Sequence, residues 1–359
     1  MKSPTSFIRM AQPEDDAALC RIFEETPLRG SFDIALERNP SYFQSQAFAL
    51  QHDVFVGVRN GAIIGCGARI VRETWWQEEA QRVAYLGDLR CHPSMQRRAG
   101  SLIREGYQTL TTVQEKTPAA VTWSAIFEEN AIARRMVSKG VTGMPEYIDR
   151  GRLLCPILLV PRRAKVRLPD GFSLEVGNDT GEIGEFLQTQ WQHRPLAPVL
   201  REEDILTKIV GDFLLLRRSD QLVGVVALWD LRAEKQVRMI AARGWLARWR
   251  RPLNLLARCM GWPGLPEDGA ILPMAYLSFL AVEHDDARLA KILIRAARVE
   301  AARRGIHFLC ACAHERHPVA RVLQRFLAIP SHGRLYQVAM GGVAVDWPAA
   351  APHIEPALL

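Results

Sequence analysis

Residues Tyr85–Arg104 read Tyr-Leu-Gly-Asp-Leu-Arg-Cys-His-Pro-Ser-Met-Gln-Arg-Arg-Ala-Gly-Ser-Leu-Ile-Arg. Val83–Cys91 has the pattern of an apolar strand, which His92-Pro93 ends. The basic loop Gln96-Arg97-Arg98 follows, then the small residues Ala99-Gly100-Ser101 at the mouth of a helix carrying Leu102, Ile103, Tyr107, Leu110 and Val113. A strand, a small-residue loop and a helix start together make an anion-binding geometry. Unpaired amides of the first helical turn converge on one spot, and the helix dipole favours negative charge there. Small side chains let a phosphate approach the backbone, and Arg97 and Arg98 can add charge-assisted bonds. An ordinary strand–helix connection with two solvated arginines would look the same over these residues alone.

The rest of the chain bounds the reading. Its 359 residues suggest two domains, and 48% hydrophobic with 24% charged residues is a globular composition. A net charge of +7 suits an anionic ligand, but the arginines are scattered and form no long basic block. Nucleic acid is therefore disfavoured as a partner. Seven cysteines, an odd number without a Cys-x-x-Cys pair, point to buried thiols in a reducing compartment and to no metal centre. No apolar run is long enough to span a bilayer, and the N-terminus lacks a signal-peptide core, so the expected location is cytoplasmic.

Outward from the central stretch, Ser6–Met10 reads as a strand and Pro13-Glu14-Asp15-Asp16 opens a helix. Arg29–Ser45 reads as loop and short helix. Asp53–Val58 and Ala62–Glu73 flank Asn60-Gly61, a strong hairpin signal. Ala119–Phe127 is a buried strand, Asn130–Lys139 a helix stopped by Gly140, and Tyr147–Val160 a pair of closing strands. The pattern then repeats. Asp53, Arg59 and Gly65 recur as Asp212, Arg218 and Gly224 at a constant offset of 159, and Tyr85 recurs as Tyr276 at an offset of 191. A period near half the chain means a duplicated domain. We therefore expect domains at 1–160 and 170–345, a linker at 161–169, and an insertion at about 234–268 in the second copy. The insertion is rich in Trp and Arg, and Trp245, Leu246, Trp249, Leu253, Leu256 and Met260 fall on one helical face. Because Pro252 and Pro263 interrupt it, a lid or interdomain wedge is expected in preference to a membrane-surface helix.

The Gln96-Arg97-Arg98-Ala99-Gly100-Ser101 loop after a Leu-x-x-x-Pro strand resembles the acetyl-CoA loop of the GNAT acyltransferase superfamily, with Ala99 where that family's first glycine stands. Asn130-x-x-Ala133 and Lys139-Gly140 extend the resemblance, and the element order covers nearly the whole chain as two copies. It implies an α/β (α+β) fold of two tandem GNAT-like domains. Each would have a mixed, mostly antiparallel sheet flanked by helices and splayed between two central parallel strands. The implied activity is N-acetyl transfer from acetyl-CoA to a small-molecule or peptide amine by direct attack in a ternary complex. The alternative is a non-catalytic acyl-CoA-binding or interaction protein.

The resemblance also implies roles. Backbone amides of Leu89, Arg90 and Cys91 would bond the pantetheine arm. Gln96, Arg97, Arg98, Ala99, Gly100 and Ser101 would hold the pyrophosphate, and Asn130 would bond the arm or simply cap its helix. Asp88 and Glu73 are candidate bases, with Asp33 and Glu37 in the expected acceptor loop. The family's tyrosine position offers Met136 or Val137, so either Tyr147 serves as the acid, or solvent protonates the sulfur, or the protein is not a catalyst. In the second copy the loop is Glu283-His284-Asp285-Asp286-Ala287-Arg288. Its carboxylates would repel a pyrophosphate, so the second copy is expected to be degenerate, with the first binding the coenzyme.

Overall fold

The computed structural model describes residues 6–30, 32–46, 49–93, 100–140, 142–177, 179–200 and 213–359. In the first half β1 (Ser6–Met10), α1 (Asp16–Glu25) and β2 (Phe32–Glu37) precede the long antiparallel strands β3 (Gln51–Arg59), β4 (Ala62–Trp76) and β5 (Glu79–Cys91). Asn60 and Gly61 both take positive φ, 51° and 80°, the backbone that a two-residue hairpin turn requires. Then come α2 (Gly100–Lys116), β6 (Val121–Phe127), α3 (Ala131–Lys139), β7 (Glu146–Leu154) and β8 (Ile157–Leu159). The second half runs β9 (Phe172–Gly177), α4 (Thr180–Trp191), β10 (Phe213–Arg218), β11 (Gln221–Trp229), β12 (Gln236–Ala242), α5 (Gly244–Cys259) and β13 (Met274–Val282). It ends with α6 (Ala287–Arg303), β14 (Phe308–Cys310), β15 (Ala313–His314), α7 (Pro318–Leu323), β16 (Ala328–Ile329) and β17 (His332–Ala339).

The duplication is visible strand for strand. In the first sheet β5 and β6 run parallel over only three pairs, Val83–Val121 to Tyr85–Trp123. In the second, β13 and β14 do the same from Met274–Phe308 to Tyr276–Cys310. Beyond those pairs the strands diverge. Each leading strand then carries a residue at positive φ, Asp88 at 55° and Phe279 at 52°, separated by the same 191 positions as the tyrosines. The result is the mixed, mostly antiparallel sheet splayed at its parallel pair, present twice.

Three features differ from the linear reading. First, the sheets exchange strands across the expected boundary. The first has the order β1-β3-β4-β5-β6-β17-β7-β15, and the second β16-β8-β14-β13-β11-β10-β9. Thus β17 slots between β6 and β7, while β8, expected to close the first copy, pairs with β14 and β16. The division of the sheets therefore does not follow the division at 160, and it is pairing, which no single-strand pattern encodes, that decides this. Second, Phe32–Glu37 is a strand, with alternating burial, that pairs with β12 of the insertion in a separate two-stranded ribbon. Third, α5 runs continuously through Pro252 and buries none of its residues. The proline costs one internal hydrogen bond without ending the helix, so the wedge expectation fails.

The second-half core is built on α6, whose Leu289, Leu293, Ile294, Ala297 and Ala301 are all buried. Each of the larger three contributes roughly 1.5–3 kcal/mol by leaving water. Residues Ala351–Leu358, beyond β17, are also buried, with Ile354 in the core of the first sheet and Ala357 and Leu358 in the second. This segment ties the halves together. Among the described residues no helix is long and apolar enough to cross a membrane.

Candidate active site

The first-half cleft opens where β5 and β6 part. Ser124 Oγ donates to Leu86 O at 2.8 Å at the vertex, and Tyr85 stacks on Trp123 with centroids 4.6 Å apart. Among the described residues no strand pairs with the β6-facing edge of β5 beyond Tyr85, so the Leu86–Cys91 backbone borders a slot, with Leu89 exposed at its rim. The floor is fixed by Arg69, a fully buried arginine on β4. It binds Asp53 at 2.8 Å, Gln114 Oε1 at 2.8 Å and Thr117 O at 2.5 Å, pinning the C-terminal end of α2 to the sheet. The other end of α2 starts at Gly100 and Ser101, both exposed, with no acidic residue in the first turn. Gln96, Arg97, Arg98 and Ala99 lie outside the described residues.

Asp88 lies at the kink of β5. Its carboxylate accepts the Tyr42 hydroxyl at 3.0 Å and approaches Arg38 at 3.5 Å. Burial pushes its pKa up, but Arg38, Arg90, Lys235 and Tyr42 more than offset this and hold it below the ordinary carboxylate range. Around it lies an enclosed polar cluster that the sequence reading did not assemble. Arg38 and Arg90 stack against Phe23, at 5.1 and 4.9 Å from its ring. His52 sits 6.0 Å from the Tyr42 ring, and burial with the nearby Arg72 pulls its pKa to about 4 against Asp88. Both His52 ring nitrogens and Arg72 Nε lack a hydrogen-bond partner among the described residues. Lys235, from the second half, donates to Ala357 O at 3.1 Å and Leu359 O at 3.2 Å. Burial first, then Arg38, bring its pKa down to about 7. No spacing rule could have found Lys235, because it reaches the cluster from the turn that precedes the β2–β12 ribbon.

The remaining candidates are dispersed. Glu73 sits six residues along β4 from Gly67, which faces the Asp88 kink, or roughly 20 Å at strand rise. Tyr147 is half-buried against an apolar cluster beneath α2, where its hydroxyl meets that of Tyr107 at 2.5 Å. Burial and Tyr107 raise the Tyr147 pKa well above that of an ordinary phenol. Asn130 caps α3, accepting the Ala133 amide at 3.1 Å. Asp33 and Glu37, expected in an acceptor loop, lie on β2 and are paired with Arg243, at the start of α5, and with Arg238 of β12. Among the described residues no group of three or more His, Cys, Asp or Glu could hold a metal ion.

The second-half cleft has different contents. The Phe279 amide, at the kink corresponding to Asp88, donates to Glu355 Oε2 at 2.8 Å, and His353 stacks on Trp191 at 4.4 Å. Leu277, Leu280, Cys312 and His317 line the space together with His353–Pro356 of the chain itself. At the start of α6 the Asp286 carboxylate accepts the Arg288 amide at 2.6 Å, standing where a phosphate would bind. Glu283 and Asp285 are neutralised by Arg218 and Arg194.

This is the fold of tandem GCN5-related N-acetyltransferases. No protein-family model matches the sequence, and no curated protein matches it. Solved structures do. A GCN5-related N-acetyltransferase from Sphaerobacter thermophilus superposes over 99% of this chain and 98% of its own, at TM-score 0.59 and 13% identity. A tandem GNAT protein from the clavulanic acid biosynthesis pathway matches over 93% and 98%, at TM-score 0.56 and 12% identity. Saccharomyces cerevisiae N-myristoyltransferase with bound myristoyl-CoA matches over 94% and 85%, at TM-score 0.61 and 9% identity. At such identities the likeness is one of fold.

Proposed function

We propose that the protein is an acyl-CoA-dependent N-acyltransferase, with acetyl-CoA as donor and the first half as its catalytic unit. The observation carrying this reading is the asymmetry of two equivalent clefts. The first leads to a helix start of small residues with no acidic residue in its first turn, whereas in the second Glu355 already takes the Phe279 amide at the kink and the Asp286 carboxylate occupies the helix start. The slot fits a pantetheine arm, for which the Leu89, Arg90 and Cys91 backbone would supply amides. Gln96, Arg97, Arg98 and Ala99, with Gly100 and Ser101, would hold the pyrophosphate. Asn130 would contact the arm only with its amide nitrogen, since its oxygen serves the cap.

The chemistry needs a neutral amine at the thioester carbon. Its nitrogen forms a C–N bond as the C–S bond breaks, the ammonium proton passes to a base, and the thiolate leaves with coenzyme A. Asp88, held ionised, is a weak base but a good acceptor for the amine N–H, and so orients the nucleophile. Lys235, which titrates near neutrality in the same cluster, is the group suited to take the proton. Backbone amides at the kink would stabilise the oxyanion. Tyr147 is unsuited to protonate the thiolate because its hydroxyl is engaged with Tyr107. The acceptor is a small-molecule or peptide amine. Thiol release from acetyl-CoA across an amine panel, with calorimetry of coenzyme binding, tests the reading. Absence of coenzyme binding would refute it, and binding without turnover on any amine would favour a non-catalytic acyl-CoA-binding protein.

A further inference from the structure

Helix α5 presents a surface that acyl transfer does not use. Trp245, Trp249, Leu256 and Met260 are 65%, 55%, 56% and 62% exposed, large values for such side chains. At 100° per residue these four lie within a 60° sector, and Pro252 and Cys259 extend the same exposed side. The helix is held to the body by its other side. Asn254 is bonded twice to the Leu265 backbone, at 2.6 and 3.0 Å, and Arg250 pairs with Asp268. Between Gly244 and Cys259 there are four arginines and no acidic residue. Arg248, Arg251 and Arg258 are exposed, and they have no ion pair among the described residues. Arg248 borders the tryptophan sector and Arg251 lies farther round, while Arg258 falls nearer Asn254 on the side held to the body. Two tryptophans flanked by unneutralised arginine, on a helix without a carboxylate, form the amphipathic pattern of a helix lying at a lipid interface.

We propose that α5 docks the protein on an anionic phospholipid surface, with Trp245, Trp249, Leu256 and Met260 entering the headgroup region and Arg248 and Arg251, on the flank of that face, meeting the lipid charge. Charge complementarity selects this occupant. A second copy packed about a twofold axis would bring the flanking arginines of two α5 helices together, which is repulsive. The helix follows β12 at the Phe32 end of the ribbon, whereas Arg38 of the Asp88 cluster leaves β2 at the opposite end, beside Gln236. The inference does not depend on the acyl-transfer reading.

The test is co-sedimentation of the full chain with vesicles of phosphatidylcholine alone and of phosphatidylcholine with 30% phosphatidylserine. The expected result is binding to the anionic vesicles only, weakened at least tenfold by Trp245→Ala/Trp249→Ala and lost in Arg248→Glu/Arg251→Glu. Far-UV circular dichroism and the melting temperature of both variants should match the parent, because the substituted side chains are exposed. A blue shift of tryptophan emission on binding, absent in the double alanine variant, supports insertion. Failure to bind anionic vesicles, equal binding to neutral ones, or a dimer that the tryptophan substitutions dissociate would overturn the proposal.

Discussion

Replacing Asp88 by Asn isolates the charge at the centre of the cluster. Asn is the right probe because Asp88 sits at φ 55°, a backbone that Asn tolerates and that Ala would strain. Asn can still accept the Tyr42 hydroxyl, so the packing persists while the negative charge goes. Arg38, Arg90 and Lys235 then face one another without their shared anion. Removing one partner of a fully buried pair costs about 3–5 kcal/mol. The Asp88 side chain keeps 19% exposure, which puts the expected loss near the lower end, about 3 kcal/mol. Urea denaturation at pH 7 should show this as a lower midpoint at unchanged slope. If the carboxylate also orients the acceptor, losing a charged hydrogen bond of about 2 kcal/mol lowers kcat/KM roughly 30-fold. Coenzyme affinity should not change, because the carboxylate is not among the groups proposed to hold the coenzyme. The double variant Asp88→Asn/Arg38→Met should be less destabilised than the sum of the singles. Stability within about 0.5 kcal/mol of the parent, with unchanged turnover, would show that the cations do not rely on Asp88 and refute the reasoning.

Lys235 gives a pH signature. Its folded pKa is depressed to about 7 from an ordinary 10.5, so the unfolded state binds more protons between those values, and this group's contribution to stability rises with pH across that window and is lost as pH falls to 7. Lys235→Met should therefore stabilise the fold more at pH 7 than at pH 10, by urea midpoint, and abolish a rise in kcat/KM centred near pH 7. Calorimetry with acetyl-CoA should give one site per chain, weakened by Arg98→Glu and unaffected by Asp286→Asn; two equivalent sites would contradict the asymmetry of the clefts. Tyr147→Phe leaves the half-buried Tyr107 hydroxyl without its partner and should cost about 1 kcal/mol while sparing turnover per folded molecule. A large kcat loss at unchanged stability would instead restore Tyr147 as the acid.

Much of this protein was legible in one dimension because the signals are local. The Asn60-Gly61 turn, the apolar run of Val83–Cys91 and the small residues opening α2 each reflect backbone or burial requirements satisfied within a few residues. The duplication was legible for the same reason: Gly65 and Gly224, or Tyr85 and Tyr276, answer the same local demand twice. So was the charge reversal at Glu283–Asp286, since Coulomb repulsion needs only the residue types and their place before a helix. What the sequence could not determine is which chain segments meet. Strand pairing is set by shape and register over long separations, so the crossing of β8 and β17 between sheets, and the pairing of β2 with β12, emerge only in three dimensions. The exposed side of α5 has the same origin, because a stripe of Trp and Leu reads identically whether or not another surface covers it. The Asp88 cluster follows too. Arg38, His52, Arg72 and Lys235 carry no distinctive pattern in sequence, and only the tertiary fold removes them from water together, which is what lowers the proton affinity of His52, Arg72 and Lys235.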